Sequence, residues 1–144
     1  MNDHPCSHMK RFNYLNQEIE TAYHKAAFKL GISDSAMQIL YALLSFDGSC
    51  SIGDIITFGT SKQTINSALR KLEKDGNIIL EKMDGRKKSV SLTDKGQALA
   101  EKTALKIIEI ENGIFEQWSE EDLDNYMRLT AMYCKMLKEK TENL

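Results

Sequence analysis

The sequence predicts a mainly α-helical fold with a small β-hairpin, and three observations support this prediction. Apolar residues recur at steps of three and four over most of the 144 residues, which is the period of an amphipathic helix. Between residues 77 and 92 the pattern changes to β-favouring runs on either side of Asp84-Gly85, a dipeptide that favours a tight hairpin turn. The only proline is Pro5, near the N-terminus, so no later helix is broken by a proline ring.

Two helices are predicted in the first third of the chain. The first carries apolar residues at helical spacing from Phe12 to Leu30 and ends at Gly31, a residue type that commonly stops helices. The second begins after Ser33 or Asp34, either of which can cap its N-terminus. It ends at the turn-forming residues 46–49.

Two more helices are predicted before the hairpin. Ser51 is a suitable cap for a short helix that ends near Phe58-Gly59. Thr60 and Gln63 have the spacing of a capping box, which predicts that the next helix starts there. This helix ends at Asp75-Gly76. Two helices with so short a connection are typical of a helix-turn-helix.

A hairpin and two C-terminal helices complete the predicted fold. The strands are centred on Ile78-Ile79-Leu80 and on residues 89–92, where polar and apolar residues alternate. Thr93 caps a long helix, and Ser119 caps a last helix whose first turn is acidic, which suits the helix dipole. The predicted fold class is therefore a winged helix-turn-helix with flanking N- and C-terminal dimerisation helices, in a single domain of residues 1–144.

Charge is unevenly distributed along the chain. The whole protein has a net charge of −2, but residues 61–88 carry eight basic and four acidic side chains. A basic segment within an acidic protein is the electrostatic pattern of a local nucleic-acid contact. We therefore expect double-stranded DNA to be the partner of the helix and hairpin that this segment forms.

The fourth predicted helix has the polarity of a DNA-recognition helix. Its apolar stripe, which includes Ile65 and Leu69, faces the core, and polar residues face outward. The residues expected near bases or adjacent phosphates are Ser61, Lys62, Gln63, Thr64 and Ser67, with Asn66 beside them. Arg70 and Lys74 are expected to contact the phosphate backbone, which takes most protein–DNA hydrogen bonds. The alternative is an ordinary solvated helix, because any surface helix has an outward polar face.

The tip of the predicted hairpin is cationic, with Arg86, Lys87 and Lys88 in succession. An extended cationic side chain at such a tip can enter the minor groove or contact phosphate. The position of the tip, directly after the recognition helix, favours a DNA contact. The alternative is an edge hairpin that lysines keep soluble.

Four segments resemble the multiple-antibiotic-resistance-regulator (MarR) family of bacterial transcription factors. They are Gly59-Thr60-Ser61-Lys62-Gln63-Thr64-Ile65-Asn66, Leu72-Glu73-Lys74-Asp75-Gly76, Asp84-Gly85-Arg86 and Leu92-Thr93-Asp94-Lys95-Gly96. The resemblance covers residues 30–100 well, and the flanking helices match in placement only. It implies a homodimeric transcriptional regulator, expected to be a repressor, that binds a pseudo-palindromic operator.

The resemblance also implies roles for the wing and for a ligand. Arg86 would enter the minor groove, with Asp84 helping to position it. Many family members respond to small phenolic or other aromatic ligands in a cleft between the dimerisation helices and the DNA-binding lobe, and others respond to cysteine oxidation. Gly85 stands where a second arginine is common, and the wing is shorter than usual. These departures keep open the alternative of a winged-helix protein-interaction module that does not bind DNA.

The distribution of apolar residues predicts a dimer independently of the resemblance. The predicted dimerisation helices lie in residues 10–30 and 94–139, outside the DNA-binding lobe of residues 33–93. Their apolar stripes at heptad-like spacing need a partner to be buried. The residues expected to form that interface are Phe12, Leu15, Ile19, Tyr126, Tyr133 and Leu137.

Other functions have little support in the sequence. It shows no phosphate-binding glycine loop and no nucleophile–histidine–carboxylate spacing, which argues against an enzyme and against a cofactor. It has no apolar run of about 20 residues and no secretory signal, so we expect a cytoplasmic protein without membrane contact. His4-x-Cys6-x-His8 lacks a fourth ligand nearby, so no metal is expected.

The three cysteines, Cys6, Cys50 and Cys134, contain no CxxC pair, which is typical of reduced thiols. Cys50 and Cys134 are expected to pack against apolar neighbours. Oxidation of Cys6 would instead make a cysteine-based redox-sensing regulator, which is the second alternative function.

Overall fold

The structure is a computed structural model that describes residues 3–57, 62–82 and 88–144. Over those residues it has seven helices and a three-stranded antiparallel sheet. In chain order, the elements are α1 (Ser7–Lys29), α2 (Asp34–Ser45), β1 (Ser49–Ser51), α3 (Ile52–Ile56), α4 (Lys62–Lys74), β2 (Ile78–Lys82), β3 (Lys88–Leu92), α5 (Asp94–Lys102), α6 (Ala104–Glu116) and α7 (Glu120–Thr141). The predicted mainly helical fold with a pair of antiparallel strands after the fourth helix is thereby confirmed.

Serine and threonine N-caps begin four of the helices, at positions predicted from the sequence. Ser33 Oγ accepts a hydrogen bond from the backbone N–H three residues further on. Thr93 and Ser119 cap α5 and α7 in the same way, and Ser51 forms a full capping box with Asp54. Each cap satisfies a backbone donor that the helix leaves unpaired, which typically stabilises a helix by about 1 kcal/mol.

The sheet has a third strand that was not predicted from the sequence. β1 pairs with β3, so the strand order is β1-β3-β2. Cys50, Val90 and Leu80 lie in one row across the sheet. β1 has only three residues, too few for an alternating pattern to be visible between the turn and the helix cap that flank it.

The long helix predicted after Thr93 is in fact two helices, α5 and α6, with a break at Thr103. Thr103 has φ −124° and ψ −88°, which is not helical. Its hydroxyl donates a hydrogen bond to the carbonyl of Leu99 at 2.7 Å, a type of bond that often bends helices. The prediction of one continuous helix is wrong because the apolar spacing continues through the break.

The core lies between α2, α4 and the sheet. Its main cluster consists of ten buried residues: Ile39, Ala42, Leu43, Cys50, Ile55, Ile65, Leu69, Leu72, Ile78 and Val90. A second cluster joins Leu40 of α2 to Ala100 and Ala104. Because α2 contributes to both clusters, it is the central helix of this core.

The chain divides into two compact units between Ile107 and Ile108. The first unit contains both core clusters. In the second, the rings of Phe115, Trp118 and Tyr126 meet edge to face around the turn between α6 and α7, with centroids 5.3 and 6.3 Å apart. No described helix combines the length and the low polarity that crossing a bilayer requires.

Candidate nucleic-acid interface

Helix α4 has one face in the core and one face in solvent. Ile65, Leu69 and Leu72 are buried, and the helix packs against α2 and β2. Burial of three large apolar side chains at helical spacing fixes which face of α4 points outward. Six of the residues predicted as DNA contacts are exposed there, Lys62, Gln63, Thr64, Ser67, Arg70 and Lys74, and Asn66 is half-buried.

The outward face of α4 is cationic. The helix contains four basic side chains and a single acidic one, Glu73. Lys62 lies in the first turn, and the other three basic residues lie in the last turns, with amide and hydroxyl side chains between them. Amides and hydroxyls can hydrogen-bond to base edges, and cations are attracted to phosphates. The face therefore offers both kinds of group that a DNA-recognition helix needs.

The C-terminus of α4 is a Schellman motif. Gly76 has φ +78°, a left-handed conformation that glycine adopts without steric cost. The backbone N–H of Asn77 donates to the carbonyl of Leu72 at 2.8 Å, and the N–H of Gly76 donates to the carbonyl of Glu73 at 3.0 Å. These bonds fix the direction in which the chain leaves α4 towards β2.

The start of α5 holds the end of α4. Thr93 donates its hydroxyl to the carbonyl of Gly76 at 2.6 Å and its backbone N–H to the carbonyl of Asn77 at 3.1 Å. The Lys95 ammonium donates to the carbonyl of Asp75, where a cation is favoured because the C-terminal end of a helix is negative. We call these contacts of residues 75–77 with Thr93 and Lys95 the α4–α5 clamp. The clamp holds residues 75–77, which directly follow the last turn of α4 and its buried residue Leu72.

Several predicted DNA contacts lie outside the described residues, namely Ser61, Asp84, Arg86 and Lys87, and so does the predicted cap Thr60. Lys88 is exposed at the start of β3 and pairs directly with Lys82 of β2. Two cations opposite each other in neighbouring strands repel one another, so this position suits an anion. Lys82 was not predicted as a contact, because only the strand register shows that it is opposite Lys88.

The helices predicted to form a dimer leave apolar side chains exposed. α1 buries only Ala27, and α7 buries no residue within one chain. The six side chains predicted to lie in a dimer interface, Phe12, Leu15, Ile19, Tyr126, Tyr133 and Leu137, are each 40–50% exposed. Large exposed apolar patches are typical of interaction surfaces.

An open cavity of about 460 Å³ lies between α1 and α2, within the first unit. Its lining includes Glu20, Tyr23 and His24 of α1, and Asp34 and Tyr41 of α2. His24 Nδ1 lies 2.7 Å from Asp34 Oδ2, and both side chains are more than half exposed. The cavity is therefore polar at its solvent side and has aromatic side chains in its walls.

The three cysteines are free thiols with very different exposures. Cys50 is buried in β1, and its burial raises its pKa to about 11, with the nearby carboxylate of Asp54 adding to the rise. A thiol that stays protonated reacts poorly with oxidants. Cys6 and Cys134 are exposed within one chain, although Cys134 was predicted to pack. A cysteine-based redox function would therefore have to use Cys6 or Cys134.

We expect Cys50 to react with an alkylating agent far more slowly than an ordinary thiol. A pKa of about 11 in place of 9.0 lowers the thiolate fraction near neutral pH by about 100-fold. The rate should rise about tenfold for each pH unit below the raised pKa, because only the thiolate attacks. Mass spectrometry after timed iodoacetamide treatment gives the rate at each cysteine. Modification of Cys50 as fast as exposed Cys6 would contradict the raised pKa.

The fold and the cationic face of α4 together define a winged-helix DNA-binding protein. No protein-family model matches the sequence, and no curated protein is similar to it. Among solved structures, a MarR-family transcriptional regulator from Silicibacter pomeroyi is 26% identical, with 88% of each chain covered and a TM-score of 0.66. NMB1585, a MarR-family regulator from Neisseria meningitidis, is 22% identical, with 100% of each chain covered and a TM-score of 0.79.

The structural neighbours across the full chain are thus MarR-family transcriptional regulators, and this protein has their winged-helix fold with N- and C-terminal helices. The predicted fold class and the MarR resemblance are both confirmed. MepR of S. aureus, solved as a DNA complex, is 23% identical, with 96% of this chain and 100% of that chain covered and a TM-score of 0.64. The fold implies a DNA-binding transcriptional regulator and not an enzyme, as the sequence predicts.

Proposed function

We propose that the protein is a sequence-specific transcriptional repressor that binds a pseudo-palindromic DNA operator as a homodimer. The observation that carries this proposal is the way in which α4 is packed against the rest of the protein. Its cationic face is exposed, its opposite face is buried in the core, and its C-terminus is held by the α4–α5 clamp. A helix that reads the major groove must present its side chains to the bases at a fixed angle. The buried residues from Ile65 to Leu72 and the α4–α5 clamp support such an orientation of α4.

In this proposal, the N-terminal half of α4 contacts bases or adjacent phosphates, and the C-terminal half contacts the phosphate backbone. The proposed contacts to bases or adjacent phosphates are Ser61, Lys62, Gln63, Thr64, Asn66 and Ser67. Arg70 and Lys74 lie further along the exposed face, where they would contact the DNA backbone. Such phosphate contacts set the position of the helix on the duplex, and the base contacts then give specificity.

In this proposal, the hairpin makes a second contact with the DNA, in addition to the contact made by α4. Arg86 is proposed to enter the minor groove with support from Asp84, and Lys87 and Lys88 to contact phosphates. Lys82 joins this set because it pairs with Lys88 in the strand register. A phosphate near both ammonium groups would offset their repulsion through charge-assisted hydrogen bonds.

A homodimer would bury the exposed apolar faces of α1 and α7. Two α4 helices related by a two-fold axis can read half-sites about one DNA turn apart, which is why the operator should be pseudo-palindromic. The dimer would then repress transcription by occupying the operator. A small aromatic effector would release the dimer if it binds the DNA-free arrangement more tightly, and the structural neighbour NadR in complex with 4-hydroxyphenylacetate supports a ligand of that kind.

Replacing Arg70 with alanine is expected to weaken operator binding by about tenfold at moderate salt, because each subunit loses a phosphate contact. Arg70 is exposed, so the substitution leaves the core unchanged. The slope of log affinity against log salt should become shallower by about two, one counterion per subunit. Fluorescence anisotropy with DNA from upstream of the protein's own gene, at several salt concentrations, measures both quantities.

Lys29→Ala is the control for the loss of a charge. Lys29 is exposed in the last turn of α1, and its removal should leave the salt slope unchanged. A wild-type protein without detectable binding at low salt would overturn the repressor proposal and favour a protein-interaction module. If Arg70→Ala and wild type have the same slope of log affinity against log salt, Arg70 does not contact a phosphate.

A further inference from the structure

The cavity between α1 and α2 carries more acidic than basic groups. Of the described residues that line it, Glu20 and Asp34 are acidic and His24 is the basic one, and neither lysine nor arginine is among them. His24 Nδ1 already lies 2.7 Å from Asp34 Oδ2. Glu20 forms no ion pair with any described residue. One carboxylate of the cavity is therefore left without a positive partner.

The walls of the cavity are suited to an aromatic ring. Tyr23 of α1 and Tyr41 of α2 line it from the two helices, together with Met37. Aromatic rings pack against other rings, their faces attract cations, and thioethers make favourable contacts with rings. A volume of about 460 Å³ lies within the usual range for small-molecule sites and has room for a bicyclic ring system.

We propose that this cavity binds an aromatic ammonium ion and that Glu20 selects the positive charge. The ring of the ligand packs against the tyrosines, and its ammonium group lies beside the Glu20 carboxylate. An aromatic carboxylate would be repelled by Glu20 and Asp34 and attracted only by His24. Two structural neighbours are named with aromatic acids, NadR with 4-hydroxyphenylacetate and BpsR of Bordetella bronchiseptica with 6-hydroxynicotinic acid. The ammonium ion proposed for this cavity has the opposite charge to the carboxylates of those two compounds.

Binding of the ammonium ion is a property of the cavity alone, whereas its role as an effector rests on the proposed repressor function. The binding test therefore uses the full-length protein without DNA. Isothermal titration calorimetry compares three probes that share an indole ring: tryptamine, which is cationic, tryptophol, which is neutral, and indole-3-propionate, which is anionic. Tryptamine is expected to bind at least about tenfold more tightly than tryptophol, and indole-3-propionate more weakly than either.

Glu20→Gln keeps the shape of the side chain and removes its charge. It is expected to weaken tryptamine binding by about fivefold and to leave tryptophol binding unchanged. Glu18→Gln is the matched control, because Glu18 is exposed on α1 and does not line this cavity. Equal affinities for the three probes, no binding of tryptamine, or equal losses in the two variants would each overturn the proposal.

The effector role is then tested by measuring the binding of operator DNA by fluorescence anisotropy, with and without tryptamine. Release of the operator by tryptamine, at concentrations that fill the cavity, is the expected result. Tryptamine that binds without changing operator affinity would overturn the effector role, while the charge preference of the cavity stands. A protein that binds no operator would overturn the repressor function, and calorimetry would still decide the cavity proposal.

Discussion

Replacing Gly96 with alanine is expected to destabilise the protein by about 3 kcal/mol and to lower its melting temperature by about 10 °C. The added methyl group would lie 2.8 Å from the carbonyl carbon of Asn77 and closer still to its oxygen. Carbon atoms pack best at about 3.5–4.0 Å. Because a backbone carbonyl cannot move away by changing its rotamer, α5 would have to separate from the end of α4.

This separation would disturb the α4–α5 clamp. The backbone N–H of Gly96 donates to Thr93 Oγ1 at 3.0 Å, and that hydroxyl in turn donates to the carbonyl of Gly76. A displacement at Gly96 therefore reaches the residues that hold the DNA-facing helix. We expect the operator affinity of the folded variant to fall as well, because the orientation of α4 is no longer fixed at its C-terminus.

Gly53→Ala is the matched control within the same unit. Its methyl group would meet only the Ser51 hydroxyl at 3.6 Å, an ordinary contact, and alanine is favoured over glycine in a helix by about 1 kcal/mol. Its melting temperature should therefore be unchanged or slightly higher. Calorimetric melting at one protein concentration makes the comparison, because the stability of an oligomer depends on concentration. Equal melting temperatures for Gly96→Ala and wild type would show that α5 does not approach Asn77 so closely.

Helix starts could be predicted from the sequence because each depends on a hydrogen bond between near neighbours. Ser33, Ser51 and Ser119 each cap a helix through a backbone donor three residues away. β1 could not be predicted in this way. Its three residues form a strand because they pair with β3, which lies about 40 residues further along the chain. The two strands touch through the hydroxyls of Ser49 and Ser91, which lie 3.1 Å apart, and such a pairing has no local signal.

The outward face of α4 could also be predicted, because its apolar stripe determines the opposite face. The structural role of the Leu-Thr-x-x-Gly segment, residues 92–96, could not be predicted from the sequence. Thr93 and Lys95 bind main-chain carbonyls 17 and 20 residues earlier in the chain, and any residue type can supply a carbonyl. The resemblance identified this segment as a family signature, and the structure shows that it holds the end of α4.

Replacing Leu137 with glutamate is expected to convert the proposed dimer into monomers, with a dissociation constant raised by at least about 100-fold. Leu137 is 49% exposed in α7, so a glutamate there stays hydrated in a single chain. In the proposed dimer, the carboxylate would move from water into an apolar interface, which costs several kcal/mol. The effect therefore falls on association rather than on folding of the chain.

Sedimentation velocity distinguishes the 16.4 kDa chain from an assembly of twice that mass. Lys135→Glu is the control, because Lys135 is two residues from Leu137 and so lies on the opposite side of α7, yet the variant also introduces a glutamate. It should remain dimeric and keep its operator affinity, whereas Leu137→Glu should lose both. A wild-type protein that sediments as a monomer would overturn the dimer, and a dimeric Leu137→Glu variant would exclude Leu137 from the interface. Since Leu137 is not buried within one chain, a change of mass in that variant alone reports on contact with a second chain.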